Sequence, residues 1–222
     1  MNQYYHYLNK SYKEANYKNL PVYAELSKLS GCYLSSIEQV LASTLKEHPR
    51  TFVIRIDLHF PQRVNCPDYP YNYESGAITR FISSLKAKIS HNQGKSAKSG
   101  KRVHATSIKY IWAKEIYKSL SPHYHLALLV NADAYRSLGN MSYHGGNMIN
   151  RIKQAWASAL SIPEINSDGL VHIPDNPTYK LDINASNFSQ VYADVFYRLS
   201  YLAKLDTKDY GNHSRSFGCS QN

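Results

Sequence analysis

The sequence predicts an α+β fold: a central antiparallel sheet with helices packed mainly on one face. Three observations carry that expectation. Residues 51–60 (TFVIRIDLHF) alternate, with Phe52, Ile54, Ile56, Leu58 and Phe60 on one side and Val53, Arg55, Asp57 and His59 on the other, which is a strand with one apolar face. Segments of helical period surround it, giving the order helix, strand, helix, strand, strand, helix, helix. The strands are too few for a doubly wound sheet. With 43% hydrophobic residues in 222, the chain can bury a core of its own.

Residues 1–49 read as a basic N-terminal arm followed by a helix. The first 30 are rich in Tyr and Lys, with weak periodicity and some helix. In 34–48, Ile37, Val40, Leu41 and Leu45 recur at helical spacing, Ser35 or Ser36 offers a cap, and Pro49 ends the run. After the strand, residues 61–73 hold three prolines and three tyrosines and read as loop. An amphipathic helix over 74–90 follows through Ile78, Phe81, Ile82, Leu85 and Ile89. Residues 92–102 (NQGKSAKSGKR) read as a Gly/Ser/Lys loop, its Lys95, Lys98, Lys101 and Arg102 either touching phosphate or simply solvated. Residues 106–117 and 123–131 are two strands, and the short KSLSP link fits a hairpin. A helix over 145–161 buries Met148, Ile149, Ile152, Trp156 and Leu160; 169–183 is a short strand pair or loop; 187–205 is a helix with Asn187 as its cap. Residues 206–222 read as a frayed, flexible tail, so the main domain spans 50–205.

Lys and Arg number 26 against 16 Asp and Glu, a net charge of +10. Such an excess points to a polyanion, of which nucleic acid is the commonest, and 20 tyrosines add faces on which unpaired bases stack. The three cysteines, Cys32, Cys66 and Cys219, have no CxxC spacing, which argues against a disulfide framework or zinc site and for a reducing cytoplasm. No apolar run is long enough to span a membrane, and the N-terminus lacks the apolar core of a signal peptide; a cytoplasmic location without a membrane partner is the expectation.

His123 and His125 flank Tyr124 on a strand, so both imidazoles project from one sheet face. Such a pair is common by chance; its surroundings give it weight. With a connection of about five residues, Glu115 faces His125 across the ladder, on the same side. Two His and one carboxylate leave open positions for water and a phosphate oxygen, which suits Mg²⁺ or Mn²⁺ acting on a phosphodiester. Asp57 and His59 share a polar strand face and read first as surface polar residues, with supports behind the ligands or a substitute ligand as the alternatives.

Tyr197 and Tyr201 are four apart on the last helix, and Lys204 follows three later on the same face, with Arg198 beside them as a further cation for DNA. A phenol is a poor nucleophile at its usual pKa of about 10. A nearby ammonium and a metal-polarised phosphate would both favour phenolate attack.

Glu115 before PHYHLALLV, then a helix reading YRLSYLAK, resembles the motif order of HUH endonucleases, and YxxxYxxK resembles their replication-initiator branch. More narrowly, residues 50–205 look like the inovirus replication-protein-like group of enterobacterial prophages, the YagK/YfjJ domain. The resemblance implies a sheet related to the RNA-recognition fold and cleavage of one DNA strand at an origin, leaving a 5′-phosphotyrosine and a free 3′-OH, as in rolling-circle replication. It implies single-stranded or hairpin DNA as substrate and a host replication helicase as partner. Carried over, His123 and His125 match the metal-binding histidines, Glu115 loosely the third ligand, Tyr201 the tyrosine before xxK, Tyr197 its upstream partner and Lys204 the motif lysine. The competing expectations are a non-cutting module that grips single-stranded DNA or an origin hairpin, an RNA-binding sheet, and a transposase or relaxase with the same chemistry. A polar His/Glu face argues against the RNA reading, which needs stacking aromatics there.

Overall fold

A computed structural model of the chain describes residues 11–12, 15–23, 28–61, 76–116, 122–140, 146–206, 208 and 215–221. Among them are four α-helices and a six-stranded antiparallel sheet. The central strand β5 (Arg50–His59) pairs on one side with β7 (His123–Asn131), which pairs in turn with β6 (Lys109–Glu115). On its other side β5 takes both β8 (Val171–His172) and β9 (Thr178–Asp182). Residues 169–183 are thus a strand pair only in number: both strands add to the same edge of β5. The outer edge of β6 is closed by β10 (Phe217–Cys219).

The α+β class and the antiparallel sheet are as the sequence implies, but the helices do not favour one face. Helices α2 (Ala77–Lys98) and α3 (Met148–Leu160) pack against Phe52, Ile54, Ile56, Leu58, Tyr124, Leu126 and Leu128. Helices α1 (Gly31–Glu47) and α4 (Phe188–Ser200) pack on the other side, over Val53, Ile111, Ala113, Ala127 and Leu129. The physical reason lies in the central strands. Both β5 and β7 carry apolar residues at odd as well as even positions, and such strands must be covered twice. On the α2/α3 side the ring of fully buried Trp156 meets Phe60, Phe81 and Tyr124, and its Nε1–H donates to the His59 carbonyl at 2.8 Å.

Helix boundaries differ from the pattern where caps decide them. Ser30, not Ser35 or Ser36, caps α1 by accepting from the Tyr33 N–H at 3.4 Å. Helix α2 continues through most of the expected 92–102 loop, so Lys95 and Lys98 are helical. Gly94 costs that helix about 1 kcal/mol relative to Ala, which the packing of Leu85 and Ile89 outweighs. It stops at Gly100, whose φ of 74° lies in the left-handed region. Helix α4 ends at Ser200 and tightens into a 3₁₀ turn, Tyr201–Ala203.

The terminal segments also differ from expectation. The described parts of the arm are two-residue strands, β1 (Ser11–Tyr12), β2 (Asn16–Tyr17), β3 (Leu20–Pro21) and β4 (Leu29–Ser30), and Val22 and Leu29 sit in the core beneath α1 and α4. The tail is not frayed throughout, because Phe217–Cys219 pair with Ile111–Ala113 and Phe217 stacks on Tyr33 at 4.1 Å. Most of the 61–73 loop and the KSLSP link lie outside the described residues. Cys32 and Cys219 are free thiols, and among the described residues no helix is long and apolar enough to cross a membrane.

Candidate active site

The site occupies the part of the α1/α4 face that those helices leave uncovered. At odd positions β5 runs Val53, Arg55, Asp57, His59, and β7 runs His123, His125, Ala127, Leu129. The apolar end of each series lies under the helices, and the polar end faces the turn after α4. The small Ala113 and Ala127 keep the sheet low beneath this turn.

Register then sets the partners. Asp57 stands opposite His125 and His59 opposite His123, while on the other side Ala113 faces His125 and Glu115 faces His123. Glu115 is therefore one pair away from the position expected for it. The observed Glu115–His123 pairing is one same-face step away from the Glu115–His125 pairing that a five-residue connection would give. Glu115 reaches His125 diagonally, with Oε2 3.3 Å from Nε2, and the Nε2 atoms of His123 and His125 are 3.1 Å apart.

These three residues fit a divalent cation. Glu115, His123 and His125 each offer a ligand atom within 4.8 Å of the others, and all three are buried or partly buried. Two nitrogens bound to one ion at about 2.0–2.1 Å stand roughly 2.9 Å apart at a right angle and roughly 3.3 Å apart at a tetrahedral angle, which brackets the observed separation. The Nδ1 of His125 lies 2.5 Å from Asp57 Oδ1. With its proton on Nδ1, donated to that carboxylate, His125 presents Nε2 as a lone pair. His123 is held neutral for the same role: burial first, then the neighbouring His125 and His59, push its pKa down to about 4.

Asp57 is the hub behind the candidate ligands. It is buried and accepts from Arg55 Nη1 and His125 Nδ1, each at 2.5 Å, while its Oδ2 lies 3.3 Å from His172 Nδ1. Burial alone would raise its pKa, but the His125 hydrogen bond and the Arg55 charge outweigh it and hold the carboxyl well below the usual carboxylate range. His59 stacks on His123 at 5.3 Å with planes 10° apart. Against a surface reading, Asp57 is buried and contacts the candidate ligand His125, and His59 is partly buried and packs on the candidate ligand His123.

Tyr201 opens the 3₁₀ turn directly over this cluster. Its ring meets that of His125 edge-on, centroids 5.2 Å apart and planes at 89°. Lys204 is not one helical turn further along α4; it ends the 3₁₀ turn, and its Nζ lies 4.3 Å from the Tyr201 ring centroid. Tyr197 packs on Tyr23 at 5.8 Å, and Tyr23 meets Tyr201 at 5.4 Å, so three phenols cluster. The arm fixes this turn: Ser200 Oγ accepts from the Tyr23 N–H at 2.8 Å and donates to the Tyr197 carbonyl at 2.7 Å, and Leu205 N–H donates to the Lys28 carbonyl at 2.9 Å.

The sequence patterns did not single out Arg55, His172, Tyr23 or Lys208. Only Arg55 had a visible signal, a charge in the middle of an apolar strand. Lys208 is buried, donates to the Leu202 carbonyl at 3.0 Å, and has its pKa pushed down to about 7 by burial, with Glu115 opposing and Lys204 adding to that effect. Arg198 donates to the Asp175 carbonyl at 2.8 Å and lies near enough to Arg55 to oppose its charge. Lys95, Lys98, Lys101 and Arg102 are not brought to this site; they are exposed on and after α2, across the sheet.

The YagK/YfjJ C-terminal domain model matches residues 12–220. The chain belongs to the YagK/YfjJ C-terminal domain family. The match takes in residues 12–49 and 206–220, which a 50–205 domain leaves out, in keeping with β4 bracing the tyrosine turn and β10 closing the sheet. Two relatives from Escherichia coli (strain K12) align along most of their length. "Uncharacterized protein YagK" is 39% identical over 193 residues, covering 85% of this chain and 92% of the relative. "Uncharacterized protein YfjJ" is 38% identical over 194 residues, covering 85% and 93%. No solved structure matches the chain.

Proposed function

We propose that this YagK/YfjJ-family protein is a metal-dependent, HUH-type DNA strand transferase that nicks and rejoins single-stranded or hairpin DNA through Tyr201, as a rolling-circle-type replication initiator does. The observation that carries the reading is Tyr201 against His125, within a ring contact of the Glu115–His123–His125 ligand set. Glu115, His123 and His125 would hold Mg²⁺ or Mn²⁺, which when bound supplies a Lewis acid for a phosphate oxygen.

The chain's own groups supply the rest. Tyr201 Oη attacks phosphorus, a P–O bond to Tyr201 forms and the bond to the 3′ oxygen breaks; the phenol proton is lost and the departing oxygen gains one. Lys204, over the Tyr201 ring, adds positive charge beside the forming phenolate. Asp57 keeps Nε2 of His125 available by holding Nδ1. Arg198 lies on the tyrosine helix as a phosphate contact, and Tyr197 is a second phenol four residues away for a return transfer.

The test is incubation with a pool of single-stranded oligonucleotides and Mn²⁺, followed by denaturing electrophoresis. A covalent protein–DNA band that EDTA prevents is expected. Tight DNA binding with no band at any metal concentration would instead favour a binding module that does not cut.

A further inference from the structure

The net charge of this protein is concentrated in one stretch of chain. Residues 75–114 carry nine Lys and Arg and no Asp or Glu, so they account for nine of the ten net positive charges. Helix α2 arranges part of this as a stripe: Lys88, His91, Lys95 and Lys98 recur at spacings of three, four and three, one face of a helix, and Lys101 and Arg102 continue beyond its end. Lys86, Lys95, Lys98, Lys101 and Arg102 are exposed, and among the described residues none of them forms a salt bridge. A groove of about 510 Å³ runs beside the stripe toward α3, lined by Lys88, His91, Lys95, Arg151 and Gln154.

This surface is remote from the tyrosine. It lies on the opposite face of the sheet, because α2 covers the even positions of β5 and the site uses the odd ones. It also lies toward the other end of the strands: Gln93 on α2 bonds the His104 carbonyl, and Asn131 bonds Ala105 and Thr106, whereas His123 begins β7. The eight residue steps from His123 to Asn131 separate the two ends by about 27 Å at ~3.4 Å per residue.

We infer that the α2 stripe is a second nucleic-acid surface that grips the phosphate backbone of duplex DNA while the sheet site handles an unpaired strand. Two features choose the duplex. Between residues 82 and 109 there is no Phe, Tyr or Trp, so the helix itself carries no aromatic ring along the stripe; the rings beside it, Tyr110 under Lys86 and Tyr135 near Lys101 and Arg102, stand singly, unlike the three clustered phenols of the sheet site. Interleaved with the lysines are Ser90, Asn92 and Ser96, short donors for phosphate and sugar oxygens. The choice of DNA rests on the proposed function; the location and charge do not.

The experiment is fluorescence anisotropy with a blunt 20-base-pair duplex, using the full chain and two charge-matched variants. K95Q/K98Q removes two charges from the stripe, and K46Q/K180Q removes two exposed charges elsewhere. The expected result is at least a tenfold loss of duplex affinity at 100 mM salt for K95Q/K98Q, with the log–log salt slope lowered by about 2, since each phosphate contact contributes about 0.9. K46Q/K180Q is expected to lose less than twofold, and H123A/H125A to bind duplex like the parent. Equal losses for the two charge-matched variants, or an unchanged K95Q/K98Q, would overturn the inference. Absence of a covalent adduct with an intact stripe effect would overturn the nicking reading alone.

Discussion

Removing the Asp57 carboxylate is expected to destabilise the protein far more than a surface charge would. Asp57 is buried and compensates Arg55, a residue only 4% exposed, whose guanidinium donates both to that carboxylate and to the Ile56 carbonyl. In Asp57→Ala the guanidinium stays buried without its counter-charge, and breaking a buried pair from one side costs about 3–5 kcal/mol. For a chain of this size each kcal/mol moves Tm by roughly 2–4 °C, so a fall of roughly 6–20 °C is expected at pH 7 by differential scanning calorimetry. The pH dependence has a definite sign. The folded-state pKa of Asp57 is depressed, so its contribution is fully present above the unfolded value of about 3.9 and is lost as pH falls toward the folded value. The gap between parent and variant should therefore hold from pH 5 to pH 8 and narrow only below about pH 4. The double variant R55M/D57N, which removes both charges, should recover part of the loss. A Tm within 2 °C of the parent for Asp57→Ala, or a double variant as unstable as the sum of the single ones, would refute the pairing argument.

His123→Ala with His125→Ala should abolish Mn²⁺ binding by calorimetry, because the remaining carboxylate holds a hard cation poorly; unchanged affinity would remove the metal from the account. Asp57→Asn should weaken Mn²⁺ binding by about 10–100-fold, since it alters the group that orients His125. Gly218→Ala tests whether the C-terminal strand is part of the sheet. An added Cβ there meets Trp112 Cζ2 at 2.5 Å, and the overpacking should cost about 1–3 kcal/mol in urea unfolding, whereas a loose tail would show no change. Tyr197→Phe should leave first cleavage detectable, and Tyr201→Phe should remove most of it; the reverse pattern would exchange their roles.

The elements that were legible in the sequence are those fixed by local period. The alternation of 51–60 predicted β5 with Asp57 and His59 on one face, and the i, i+2 spacing of His123 and His125 placed both rings together. What was lost depends on pairing. The partner of Glu115 is set by strand register, and one same-face step changes it from His125 to His123. His172 reaches Asp57 only because a two-residue strand joins β5, and Phe217–Cys219 carry no pattern of their own. The second helical layer had a signal that strict alternation hid: LALLV in 126–130 is apolar at every position, as a strand covered on both faces must be. Helix α2 outran its expected end because Gly and Ser weaken a helix without stopping it, and the stop came at a glycine with positive φ.

The proposed role of Tyr201 as nucleophile is tested most directly by the site of covalent attachment. Trypsin cuts after Arg198 and Lys204, so Tyr201 falls in the peptide 199–204 and Tyr197 in the one before it. After reaction with a single-stranded oligonucleotide and Mn²⁺, nuclease digestion and mass spectrometry should find the nucleotide-phosphate adduct on peptide 199–204. An adduct confined to another peptide, or none under conditions where the protein binds both the ion and the DNA, would contradict it.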